Sequence, residues 1–144
     1  MDINKILLPV DGSEIFEIAA QKAIEIASAY DSEIFILNVE NRIEREKYSA
    51  HTQVEFKLEE DAAREQSKKI LEDAKNFFRQ SGLKVSTTIK KGNPAAVIID
   101  MAEEEGFDLV IMCSRGLGSG KRFLLGSVAK KVVYQCNVPV LIAK

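Results

Sequence analysis

Histidine occurs once in the 144 residues, cysteine twice, proline three times and glycine eight times. The lone His51 stands in a polar stretch without a companion, so no Ser/His/Asp or His-rich metal constellation can be assembled around it. Two cysteines cannot make a disulfide framework. Cys113 falls in an apolar run and Cys136 at the end of a helical pattern, which reads as two small core residues in a reducing compartment. Glycine and proline are too few for a collagenous or low-complexity chain, and 46% hydrophobic with 29% charged residues is the mix of a globular domain. No apolar run approaches the ~20 residues of a membrane span, and no basic segment followed by an apolar one opens the sequence. The expected location is the cytoplasm, with no membrane partner.

A surplus of one charge is also missing. The formal net charge is −2, which gives no electrostatic footprint for general nucleic-acid binding. The charge is unevenly placed, however. Residues 1–40 hold two lysines against eight acids, whereas residues 109–144 hold six Lys or Arg and no acid. A chain of this length makes one domain, residues 1–144, able to bury roughly 70% of its unfolded surface without a metal or disulfide.

What is present alternates between strand and helix. Lys5-Ile-Leu-Leu-Pro-Val10 and Ile34-Phe-Ile-Leu-Asn-Val39 are continuous apolar runs, the pattern of strands buried on both faces. Between them Phe16, Ala19, Ala20, Ala23, Ile24 and Ala27 recur at helical spacing, with Ser13 as the expected N-cap. A charged, weakly patterned connection from Glu40 to about Gln53 leads into a long amphipathic helix ending near Gln80. Leu83–Ile89 alternates and predicts a half-exposed or edge strand; Asn93-Pro94 predicts the cap and first residue of a helix that ends at Gly106. Asp108-Leu-Val-Ile-Met-Cys113 is the most apolar strand. It is followed by a basic, glycine-rich loop, a helix carrying Val128, Val132 and Val133, and a last strand over residues 138–142. Pro139 places that strand at a sheet edge. Five such alternations predict a three-layer α/β domain, a mainly parallel five-stranded sheet with helices on both faces.

Ligands in such sheets bind beyond the carboxyl ends of the strands, at the switch in strand order. Asp11 there is either a turn residue or a carboxylate facing a ribose. Gly116, Gly118 and Gly120 allow close approach of an anion, and Gly126-Ser127 opens a helix whose free N–H groups favour phosphate. Arg115, Lys121 and Arg122 add positive charge around that loop. Neither established phosphate motif applies. Counted back from Gly120-Lys121, the Walker A pattern would need glycine at Arg115 and Ser or Thr at Arg122, and the dinucleotide spacing is absent after the first strand.

Lys5-Ile-Leu-Leu-Pro-Val-Asp-Gly-Ser13, Gly92-Asn-Pro94, Asp108-Leu-Val-Ile-Met-Cys-Ser-Arg-Gly116 and Phe123-Leu-Leu-Gly-Ser-Val128, in this order, resemble the universal stress protein family over essentially the whole chain. The resemblance implies a Rossmann-like open sheet in strand order 3-2-1-4-5 and a homodimer paired through the last strand. It also implies a stress-response protein that binds ATP with Mg²⁺, or AMP or ADP; since the sequence supplies no dedicated base for hydrolysis, it would be at most a slow ATPase. Carried over residue by residue, Pro9, Val10 and Asp11 would line the adenine and ribose end, and Val39 would contact adenine. Met112, Cys113, Ser114, Arg115 and Gly116, with Gly126, Ser127 and Val128, would hold ribose and phosphates. The family's ATP-binding branch carries Gly, two residues, Gly, nine residues, then Gly-Ser or Gly-Thr. Gly116 and Gly126-Ser127 fit that pattern, while Cys113 stands at the first glycine. That departure sets retained nucleotide binding against an interaction module of the same fold that binds none. A nucleotidyl-transfer enzyme is the third reading, against which the missing catalytic groups speak.

Overall fold

Five parallel strands form one sheet in the order β3-β2-β1-β4-β5. The computed structural model describes residues 2–40, 53–115 and 125–144. Along the chain run β1 (Lys5–Pro9), α1 (Phe16–Tyr30), β2 (Glu33–Glu40), α2 (Gln53–Phe77), β3 (Val85–Lys91), α3 (Pro94–Glu104), β4 (Leu109–Cys113), α4 (Ser127–Gln135) and β5 (Val140–Ala143). The long connection expected after Glu40 and the centre of the basic loop fall outside the described residues.

The sheet divides two cores. On one face Ile6, Leu8, Ile34, Ile36 and Ile111 pack against the alanines of α1 and against Leu71 and Ala74 of α2. On the other, Leu7, Leu37, Val110 and Met112 meet Ile98, Met101 and Ala102 of α3 and Ala129 and Val132 of α4. Alternate residues of one strand serve opposite faces, which is why the central strands read as unbroken apolar runs. β3 and β5 lie at the two edges, as their alternation and the neighbouring proline predict. The amino end of the sheet is clasped by Asp108, whose Oδ2 accepts from the backbone N–H of Asn4 and Lys5 at 2.8 and 2.9 Å. Lys5 Nζ in turn lies 4.5 Å from the Phe107 ring centroid and 5.1 Å from that of Phe35.

Helix starts and ends depart in part from expectation. Asn93 does cap α3, its Oδ1 accepting from Ala96 N–H at 3.1 Å ahead of Pro94. Ser13, by contrast, does not cap α1. That helix begins at Phe16 behind Ile15, with no side-chain cap, so Ser13 stands two residues ahead of the cap position, in a turn where its own N–H donates to Asp11 Oδ1 at 2.9 Å. A tight turn in which Phe16, Glu17 and Ile18 donate three residues back then feeds the helix. α2 also stops earlier than expected, at Phe77, and α3 at Glu104.

Candidate functional site

The site is made by strands that stop pairing at different heights. Lys5, Leu7 and Pro9 present their backbone towards β4, and the register of β1 with β4 ends at Leu7↔Val110. The nitrogen of Pro9 carries no proton, so β1 has no donor for the next rung. β4 runs on as far as Cys113↔Ala143, paired only with β5 beyond that point. A crevice therefore opens between the carboxyl ends of β1 and β4, the two strands that flank the reversal of strand order.

The loop leaving β1 forms one wall. Val10 is buried and still bonded to β2 through its N–H, which donates to Leu37 O at 2.8 Å. Asp11 is exposed, and its Oδ1 closes the turn to Ser13. Gly12 has φ +91°, and a Cβ there would come 3.1 Å from Ile70 Cδ1 of α2, so only glycine brings the chain this close to the helix. Beneath this loop the Cys113 thiol donates to Ile15 O at 3.0 Å. Burial pushes that thiol's pKa up; a backbone hydrogen bond with Ala19 offsets part of the rise, and the Asp11 carboxylate adds a smaller upward push. The sulfur therefore stays protonated at neutral pH and turned towards α1.

The opposite wall comes from the end of β4 and the start of α4. Met112 is buried on the α3/α4 face, away from Cys113. Ser114 N–H donates to Ala143 O at 3.1 Å, and Ser114 O accepts from Gly126 N–H at 2.7 Å. That last bond brings both ends of the basic loop together, with half-buried Arg115 on one side and Gly126, exposed Ser127 and Val128 on the other. Gly126 is extended and caps α4, so the first N–H groups of this helix start at the loop's closing point. Gly116, Gly118, Gly120, Lys121 and Arg122 lie outside the described residues.

At the end of β2, odd-numbered residues turn their backbone to β1 and even-numbered ones to β3. Glu33 N–H donates to Asn4 O at 2.8 Å, whereas Ile34 N–H donates to Lys84 O at 2.9 Å and Glu40 O accepts from Gly92 N–H at 3.2 Å. Val39 therefore presents its N–H and its C=O on the β1 side. There the β1–β2 register ends at Pro9↔Leu37, below it. Two further residues shape this place that sequence patterning does not single out. Asn38 is buried and its Nδ2 donates to Val10 O at 2.8 Å. Glu40 has a side chain only 3% exposed, paired at 3.3 Å with Arg64 of α2. The available signal was Asn38 as a polar residue between Leu37 and Val39 in an otherwise apolar strand; Glu40, followed by Asn41, carried no such mark. Among the described residues no group of three or more His, Cys, Asp or Glu could hold a metal ion. No helix there is long and apolar enough to cross a membrane.

An open parallel sheet in this order, with its loops gathered at the switch point, defines a Rossmann-like α/β domain. The model of the universal stress protein family matches residues 2–144, and the chain belongs to that family. Universal stress protein YxiE of Bacillus subtilis is 34% identical over 147 residues, 98% of this chain and 99% of that protein. The solved structure of MJ0577 of Methanocaldococcus jannaschii is 33% identical with a TM-score of 0.82, covering 100% of this chain and 97% of that one. Three family structures at lower identity share the fold and hold adenine nucleotides. They are an Arabidopsis thaliana protein with AMP bound (23%, TM-score 0.71, 98% and 91% covered), an Archaeoglobus fulgidus protein with dAMP (21%, 0.68, 100% and 100%) and a universal stress protein with cAMP (22%, 0.69, 99% and 98%).

Proposed function

We propose that this chain is an adenine-nucleotide-binding stress protein that works by ligand state rather than by turnover. The observation that carries the reading is the backbone of Val39. One N–H donor beside one C=O acceptor, past the end of the β1 ladder, matches the edge of adenine, where ring N1 accepts and the 6-amino group donates. Guanine and hypoxanthine present the reverse pair at those atoms and would leave both groups of Val39 unsatisfied. Pro9 and Val10 would flank the base, and Asp11 at the lip of the crevice would accept from a ribose hydroxyl. The closed Ser114–Gly126 junction and the start of α4 would receive the phosphates, with Arg115 adding charge. The AMP, dAMP and cAMP complexes of family members make an adenine nucleotide the ligand class to expect. ATP carrying Mg²⁺ through phosphate oxygens and water is the form proposed. We expect hydrolysis to be slow at most, because a single histidine in a polar stretch offers no dedicated base for an attacking water. We place the protein in the cytoplasm. Its dimer would form through the outer edge of β5, where strand residues Val140, Leu141 and Ile142 are only half covered.

Calorimetric titration with AMP, ATP and GMP tests the reading. Adenine nucleotides should bind, and GMP should bind about 100-fold more weakly or worse, the penalty for two mismatched polar groups. Absence of heat with every adenine nucleotide at millimolar concentration overturns it. The competing reading, a dimeric interaction module without nucleotide, is favoured by Cys113 at the first motif glycine and would then stand.

A further inference from the structure

The geometry points to Asn38 as the residue that makes the adenine edge available, by taking over the backbone acceptor that Val39 would otherwise use. The inference rests on the adenine reading above for its ligand, but its starting point is the hydrogen-bond ladder alone. In the parallel pairing of β1 and β2, Val10 N–H donates to Leu37 O at 2.8 Å. The next rung of the same ladder would run from Val39 N–H to Val10 O. It is not formed: the register stops at Pro9↔Leu37. The Val10 carbonyl instead accepts from Asn38 Nδ2 at 2.8 Å.

Three features make this a substitution of one donor for another. Val10 is buried, with 6% of its surface exposed, so its carbonyl must be satisfied from within the protein. Asn38 is equally buried at 5% and stands on the β2 face that carries Ile34 and Ile36, which pack into the core with α1 and α2. A buried carboxamide needs polar partners, and its Nδ2 finds one in Val10 O. With that acceptor satisfied from a side chain, the sheet ends one rung early, and the Val39 N–H is left facing the β1 side with its own C=O. Asn38 is thus a positioning residue: it touches no ligand, and it sets which backbone groups the ligand meets.

Replacing Asn38 by leucine removes the amide while keeping the size of the side chain. Val10 O then lacks its donor, and the nearest one is Val39 N–H, whose capture would extend the ladder by a rung and withdraw the partner of adenine N1. The test pairs this variant with a ligand change. Dissociation constants are measured for AMP and for 1-deazaadenosine monophosphate, in which a C–H replaces N1. The wild-type protein should bind the deaza compound about tenfold more weakly, the effect of one hydrogen bond. In Asn38→Leu, AMP should weaken by about the same factor and the ratio between the two ligands should fall to near one. Asn38→Ala, which cannot overpack the strand, gives the same reading if Asn38→Leu does not fold.

A merely structural role for Asn38 would weaken both ligands together and keep the ratio, which overturns the inference. A wild-type ratio of one, with AMP still bound, overturns it too while leaving adenine-nucleotide binding intact. If the wild type binds no AMP, the reading under Proposed function fails, and hydrogen exchange of the Val39 amide decides the role of Asn38 separately. Exchange at least tenfold slower in the variant than in the wild type supports the captured rung, and equal rates refute it.

Discussion

Removing Arg64 should cost the protein more than its half-exposed position suggests. Arg64 of α2 reaches Glu40 at the carboxyl end of β2 with a single contact of 3.3 Å. The Arg64 side chain is 47% exposed and that of Glu40 is 3% exposed. An ion pair with both partners in water contributes ~0–1 kcal/mol. Removing one partner of a fully buried pair costs ~3–5 kcal/mol, because the remaining charge is stranded. This pair is buried at one end only, so Arg64→Ala should destabilise by about 2 kcal/mol. For a domain of this size that lowers Tm by about 6 °C. Glu40→Gln leaves Arg64 to water and removes the charge that needed neutralising, so it should cost under about 1 kcal/mol. The chain has no tryptophan, and urea or thermal unfolding followed by circular dichroism at 222 nm is the appropriate assay. The double variant Glu40→Gln/Arg64→Ala should lie within about 0.5 kcal/mol of Glu40→Gln alone, since no stranded carboxylate is left. An Arg64→Ala cost below about 0.5 kcal/mol, or a double variant equal to the sum of the singles, refutes the reasoning.

Both thiols are pushed above their ordinary pKa, chiefly by burial and further by a nearby carboxylate, Asp11 for Cys113 and Glu103 for Cys136. Alkylation of the native protein by iodoacetamide should therefore be slow at pH 7.5 and accelerate only beyond about pH 9, read site by site by mass spectrometry. Because the folded thiol holds its proton more firmly than the unfolded one, its contribution to stability is complete at neutral pH and declines as the solution becomes alkaline. Cys113→Ala should flatten that alkaline decline in thermal melts. Gly12→Ala forces a side chain into a left-handed turn and towards Ile70, and should destabilise by about 1–2 kcal/mol in urea unfolding. Cys113→Gly loses a half-buried side chain and its bond to Ile15, for a cost of about 2 kcal/mol in the same assay, and should leave the affinity for AMP within about threefold. A tenfold gain in affinity would show that the sulfur obstructs the ligand.

The strands were legible because burial on both faces leaves a mark that survives in one dimension. Ile6 to Leu8 and Leu109 to Met112 are apolar without a break, and each lies in the middle of the sheet. The Asn93-Pro94 helix start was legible because a cap is a local device whose donor and acceptor are three residues apart. Ser13 looked the same locally and failed, because the helix starts only at Phe16 and leaves Ser13 two residues ahead of the cap position. Asn38 and Glu40 were not legible for a different reason. Their partners, Val10 and Arg64, lie 28 and 24 residues away, and nothing in a run of apolar residues says where a polar one will find its complement. Pro9 was legible in principle. The rule that sends Pro139 to an edge, that proline cannot donate to a ladder, applies equally to a central strand, where it predicts a local parting of the sheet.

That parting changes what Cys113 means for the site. Read as a motif position, cysteine for glycine suggests a blocked pocket. In the fold, the crevice is opened by Pro9 between β1 and β4, and the donor–acceptor pair of Val39 is exposed by the shortened β1–β2 register. Neither depends on residue 113 being glycine. The Cys113 side chain leaves the strand on the α1 face and bonds to Ile15 O, beneath the loop that carries Asp11. The Ser114–Gly126 junction is closed by backbone atoms alone, at 2.7 Å. A side chain at 113 thus adds mass under one wall of the crevice without entering the junction, and it ties that wall to the end of β4. The same sulfur that weakens the motif on paper is, by this geometry, a brace for the loop holding Asp11 at the lip of the crevice.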